Sequence, residues 1–126
     1  MTLMCLCKGE GRFKAGVAVA PVTDWTLYDS HYTERFMGLP NENPNGYLQG
    51  NVMQCVDDLR APLLLMHGMA DDNVLLTHST LLMSALQRAQ KAYELMLYPG
   101  AKHSMQEPHV NIHRFNLLLD FFQRHL

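Results

Sequence analysis

The stretch that most restricts this chain is Pro62-Leu-Leu-Leu-Met66, followed at once by His67-Gly-Met-Ala-Asp-Asp-Asn-Val74. A short run that is apolar on both faces needs cover on both sides, which a parallel strand gets between two layers of helix. This run breaks off into a polar, acidic turn. In open α/β sheets ligands and reacting groups gather outside the carboxyl ends of the strands. Two further runs have the same character, Ala15–Ala20 and Tyr93–Tyr98, the second stopped by Pro99-Gly100.

Helical patterns fill the spaces between these runs. Met1 to Cys7 reads as a helix that ends near Lys8-Gly-Glu-Gly11, where glycine favours a C-terminal cap. Thr77 to Lys91 places Leu82, Ala85, Leu86 and Ala89 at i, i+3, i+4 and i+7. A last helix starts after Pro108 and carries Phe115, Leu118, Leu119 and Phe122. Asp24 is placed to cap a short helix from Trp25 towards Ser30. Asn41–Gly46 has loop composition, and a short helix is expected near Asn51–Asp57. The order is helix and strand in alternation, the mark of an α/β fold with three parallel strands, flanking helices and right-handed crossovers.

At 126 residues the chain suits one domain, and 48% apolar residues can supply its core. The net charge of -2, with scattered basic residues, argues against nucleic acid or an anionic membrane surface as partner. No apolar run approaches the ~20 residues of a membrane span. No signal peptide is expected at the start, because Lys8 follows the apolar run there. Cys5, Cys7 and Cys55 stand at no metal-ligand spacing and read as free thiols. Three strands that are apolar on both faces would leave an open apolar edge. Together with a start inside a helix pattern, this leads us to expect that upstream strands are missing.

Two strand ends supply candidate chemistry. Past Met66 stand Asp71 and Asp72, either of which offers a carboxylate; past Tyr98 stands His103. A carboxylate bonded to a histidine fixes its tautomer and stabilises the imidazolium formed when it takes a proton. Adjacent strand ends put both groups on the same rim of the sheet. The competing interpretation is a turn and helix start at Asp71-Asp72-Asn73 and an ordinary loop histidine at 103. His67, Asp71 and Asp72 form a weaker metal alternative, and we expect no metal and no cofactor. His31, His78, His109, His113 and His125 are expected at the surface or in caps. Ser30, Ser79, Ser84 and Ser104 all lie outside G-x-S-x-G, the elbow that exposes a nucleophilic serine.

Four blocks carry a resemblance: Ala18-Val-Ala-Pro-Val-Thr-Asp-Trp25, Tyr28-Asp-Ser-His-Tyr-Thr-Glu-Arg-Phe-Met-Gly-Leu-Pro40, His67-Gly-Met-Ala-Asp-Asp-Asn-Val74 and Pro99-Gly-Ala-Lys-His103. They resemble the catalytic domain of the prolyl oligopeptidase family of serine peptidases, in its bacterial dipeptidyl-peptidase IV branch. The resemblance implies that residues 1–126 are the C-terminal part of an α/β-hydrolase domain, without the nucleophile elbow and the β-propeller. It implies Asp71 as triad acid and His103 as triad base. It implies Val22, Trp25, Tyr28, Tyr32 and Val74 as walls of a pocket for a proline ring, and Asn73 as a residue that holds the carbonyl before it. Ser104 departs from the glycine common in the family after the histidine.

The function expected from this resemblance is part of a serine exopeptidase that removes Xaa-Pro or Xaa-Ala dipeptides. Its partner is a peptide with Pro or Ala at the second position. These 126 residues alone are expected to be inactive. The alternatives are a non-catalytic module that binds proline-containing peptides and part of an α/β-hydrolase esterase. The resemblance also implies a periplasmic or extracytoplasmic location, and a homodimer in which Pro108–Leu126 is a candidate surface.

Overall fold

The computed structural model describes residues 1–126. Helix α1 (Thr2–Lys8) precedes strand β1 (Gly16–Val19). A 3-10 turn at Trp25–Leu27 leads to α2 (Ser30–Met37) and α3 (Pro44–Gly50), and a second 3-10 stretch covers Val52–Asp58. Strand β2 (Leu63–Gly68), helix α4 (Thr77–Arg88), strand β3 (Glu94–Tyr98) and helix α5 (Pro108–His125) complete the chain. The three strands are parallel, in the order β1-β2-β3, with Val19 opposite Met66 and Gly68 opposite Tyr98.

Strand β2 is central and wholly buried, and its period of two splits the core. Leu63 and Leu65 join α1, the Val52–Asp58 stretch and α4 through Leu3, Leu6, Val56, Leu82 and Leu86. Leu64 and Met66 face the opposite way and meet Tyr98, Met105, Val110 and Phe121. Each of these β2 side chains contributes about 1.5–3 kcal/mol by leaving water. An unbroken apolar run is therefore needed for a strand covered on both faces, as its composition indicated.

Three details differ from the sequence pattern. Asn41–Gly46 is not all loop, because Asn43 accepts from Gly46 N and Pro44 occupies the first helical turn, starting α3 early. Tyr28–Phe36 contains an unanticipated helix, α2, whose first turn is capped by Asp29 accepting from Tyr32 N at 2.8 Å. In α5 the buried face is Val110 and Phe121, flanked by Leu117, Leu118 and Phe122, while Phe115 and Leu119 are exposed. The helix carries apolar residues on two faces, and periodicity does not say which one meets the sheet.

No helix is long and apolar enough to cross a membrane. All three cysteines are free thiols; Cys7 and Cys55 are buried in the core.

Candidate active site

The turn after β2 shapes itself around one carboxylate. Asp71 Oδ1 accepts from Asn73 N at 3.0 Å and from Val74 N at 2.9 Å. This closes an Asx-type turn of the sort aspartate favours. The other oxygen, Oδ2, accepts from His103 Nδ1 at 2.8 Å. The Asp71 carboxylate is fully buried, while the His103 ring is 42% exposed. With Nδ1 bound to the carboxylate, His103 carries its basic lone pair on Nε2.

Asp72 points elsewhere and pairs with Lys102 Nζ at 2.8 Å, both groups about two-thirds exposed. The Lys102 ammonium holds the Asp72 carboxyl below its ordinary range, and Asp72 raises the lysine in return. Tertiary placement thus selects Asp71 from the two adjacent carboxylates as the partner of His103.

Glycine 68 permits the histidine loop to come this close. A Cβ at that position would lie 2.4 Å from the Ala101 carbonyl oxygen and 2.7 Å from that of Lys102. With no side chain there, Met69 N donates to Tyr98 O at 2.9 Å and Ala70 N to Ala101 O at 3.0 Å. These bonds lace the two loops together next to the Asp71–His103 pair. Ser104 does not have a positive φ; the left-handed residues of this loop are Gly100, at +73°, and Met105, at +46°. Serine is thus accommodated after His103 without backbone strain.

Beside the pair stands an aromatic cluster. The rings of Trp25 and Tyr32 are stacked, with centroids 6.1 Å apart. Tyr28 meets both edge-on, at 5.9 and 5.7 Å. Its hydroxyl donates to Asn73 Oδ1 at 2.8 Å, which joins the aromatics to the Asp71 turn. Val74 is buried and Val22 half-buried. Asp24 caps the 3-10 turn through Thr26 N at 2.9 Å and is itself held by Asn51 Nδ2 at 2.7 Å. At Gly50 a Cβ would come within 3.0 Å of the Trp25 ring. A cavity of about 310 Å³ opens beside Val22 and Trp25, between the end of β1 and the start of α1. A larger one, about 490 Å³, lies among residues 59–63 and 90–94 at the opposite strand ends and holds none of these residues.

His67 is fully buried and bonded within the core, its Nδ1 at 2.7 Å from Ser79 Oγ and its Nε2 at 2.8 Å from Val74 O. No group of three or more His, Cys, Asp or Glu side chains is arranged to hold a metal ion. His78 is not the surface or capping residue its position suggested. It is buried, and its Nδ1 accepts from Thr23 N at 3.2 Å. Its Nε2 has no partner in bonding geometry, with the Leu27 carbonyl close by. The missed signal was periodicity: His78 stands four residues before Leu82 and seven before Ala85, in phase with the buried face of α4.

A parallel sheet between helix layers, with an imidazole resting on a buried carboxylate beyond its strand ends, is the architecture of an α/β-hydrolase domain. The sequence model of the prolyl oligopeptidase family matches residues 1–126, and the chain belongs to that family. It is 42% identical over 129 aligned positions to dipeptidyl peptidase 8 of Homo sapiens, covering 100% of this chain and 14% of that protein. It is 41% identical over 127 positions to dipeptidyl aminopeptidase B of Saccharomyces cerevisiae, covering 98% of this chain and 16% of that one. The crystal structure of Porphyromonas gingivalis dipeptidyl peptidase 4 superimposes with a TM-score of 0.95 at 41% identity, over 98% of this chain and 18% of that one. The chain therefore spans about a sixth of the relatives it matches.

Proposed function

We propose that these residues supply the acid, the base and the specificity pocket of a serine-type dipeptidyl peptidase that releases Xaa-Pro and Xaa-Ala dipeptides. The observation that carries this reading is the join between the two halves of the site. Asp71 holds His103 through one oxygen and the Asn73–Val74 turn through the other, and Asn73 in turn holds Tyr28 of the aromatic cluster.

The chemistry follows from that arrangement. A serine outside residues 1–126 attacks the carbonyl that follows the second substrate residue. His103 Nε2 takes the serine proton and later delivers it to the leaving amine. Asp71 keeps the ring in the required tautomer and stabilises the imidazolium. The pyrrolidine ring of proline, apolar and compact, lies among Trp25, Tyr28, Tyr32, Val22 and Val74. Asn73, fixed by Tyr28, is placed to donate its amide to the preceding carbonyl.

Trp25 is the single tryptophan, so its emission reports on the pocket directly. Titrating the chain with Ala-Pro should change that emission, and Ala-Leu at the same concentration should not. In the enzyme encoded by the complete reading frame, Asp71→Asn should lower kcat for an Ala-Pro anilide by about ten-thousand-fold. Cleavage of simple acyl esters without any cleavage of Xaa-Pro amides would refute the assignment.

A further inference from the structure

Six polar side chains are buried in this molecule, and five of them, Thr23, His67, Asp71, His78 and Ser79, lie in one region. Thr33 is the sixth. His78 and Ser79 are adjacent in the first turn of α4 and bind in different directions. His78 holds the pocket loop, accepting from Thr23 N through its ring and from Thr23 Oγ1, at 3.0 Å, through its carbonyl. Ser79 holds His67, which reaches the Asp71 turn.

The hydrogen bonds of His67 determine its tautomer. Val74 O is a carbonyl and can only accept, so Nε2 carries the proton. In the neutral ring Nδ1 is then bare and accepts from the Ser79 hydroxyl. The same Nε2 lies 3.4 Å from Asp71 Oδ2, the oxygen that holds His103. Val74 is thus gripped from both sides: its N–H donates to Asp71 and its carbonyl accepts from His67. The titratable neighbours of the His67 ring are Asp71, at 3.4 Å, and His78, in the first turn of α4.

We propose that His67 is a positioning residue for Asp71. With its Nε2 proton directed by the Val74 carbonyl and its Nδ1 held by Ser79, it locks the Val74 peptide and Asp71 Oδ2 into the orientation that receives His103. This rests on Asp71–His103 being the acid–base pair. Ser79 acts through His67, and neither residue touches substrate.

The test is nitrogen-15 imidazole NMR on the 126-residue chain, reading the proton positions on His67 and His103 and the solvent exchange of the His103 Nδ1–H. In the unsubstituted chain His67 should be protonated at Nε2 and bare at Nδ1; a proton on Nδ1 in place of Nε2 overturns the proposal without any variant. Ser79→Ala removes one buried oxygen. It should speed solvent exchange of the His103 Nδ1–H, the proton held by Asp71, several-fold. Leu82→Ala, in the same helix but outside the polar network, costs stability and should leave His103 unmoved. If Ser79→Ala leaves that exchange rate unchanged, or Leu82→Ala speeds it equally, His67 and Ser79 are only structural. Asp71→Asn separates the two layers: it should speed that exchange more than Ser79→Ala does. If it does not, the acid–base pair itself is wrong, and the positioning role falls with it.

Discussion

Replacing Gly68 by alanine tests how the two loops of the site are held together. The added Cβ would sit 2.4 Å from Ala101 O, 2.7 Å from Lys102 O and 3.0 Å from the Ala101 carbonyl carbon. All three are backbone atoms, so no side-chain rotation relieves the contact. Alanine is favoured over glycine in a strand by about 0.5–1 kcal/mol, whereas forcing a methyl into packed structure costs about 1–3 kcal/mol. The clash with backbone should win, for a net loss of about 1–2 kcal/mol, or roughly 4–8 °C in Tm. The displaced carbonyl of Ala101 is the acceptor for Ala70 N, so its movement should also carry His103 away from Asp71. Denaturant melts read the first effect, and solvent exchange of the His103 Nδ1–H, expected to speed up, reads the second. Gly11→Ala is the control. That position has open space around it but a φ of +77°, so alanine there costs stability by strain alone and should leave His103 unaffected. A Gly68→Ala chain within about 0.5 kcal/mol of the parent, with His103 unchanged, would refute the close-approach argument.

Two further outcomes follow from the buried network and the aromatic cluster. His78→Ala leaves Thr23 N without its acceptor and opens a cavity, and should cost about 2–4 kcal/mol in a denaturant melt. Burial holds His78 below its ordinary value of 6.5, so its unfolded form takes up a proton first as pH falls. The stability associated with a neutral His78 is therefore intact above 6.5 and is lost as pH falls from there towards the lowered folded value. The alanine variant should lack that part of the decline, and melts across that pH range would show it. Tyr28→Phe removes one exposed hydrogen bond to Asn73 and keeps all the ring contacts, so stability should fall by less than about 1 kcal/mol. Ala-Pro binding, followed by Trp25 emission, should weaken several-fold, and unchanged binding would remove Tyr28 from the site.

The three strands were legible because each is a short apolar run ended by a turn signal, a pattern few other arrangements can satisfy. The helix over Ser30–Met37 was not, because its aromatics do not follow a buried stripe: Tyr32 and Phe36 are exposed beside Trp25, and only Thr33 is buried. The expected α5 stripe divided for a related reason: Leu118 and Phe122 pack against the core, whereas Phe115 and Leu119 are exposed. Ile112, Phe115 and Leu119 make as regular an apolar stripe as Val110, Leu117 and Phe121, and only the position of the sheet distinguishes them.

Residue type and order by themselves determined the α/β class, the parallel sheet and the two strand ends where chemistry collects. They did so because backbone hydrogen bonding and apolar burial are periodic, and periodicity is visible along a chain. Family membership was legible for a different reason, since it rests on particular residues at particular spacings. Spacing left Asp71 and Asp72 open and the resemblance singled out Asp71; only the tertiary structure put it on His103, placed Tyr28 on Asn73, and buried His67 and His78 beside the Asp71 turn. Each of those decisions turns on a contact between residues 12 to 55 positions apart. A hydrogen bond extends over about 3 Å, so whether two groups meet depends on how the loops close, and a glycine such as Gly68 can decide it.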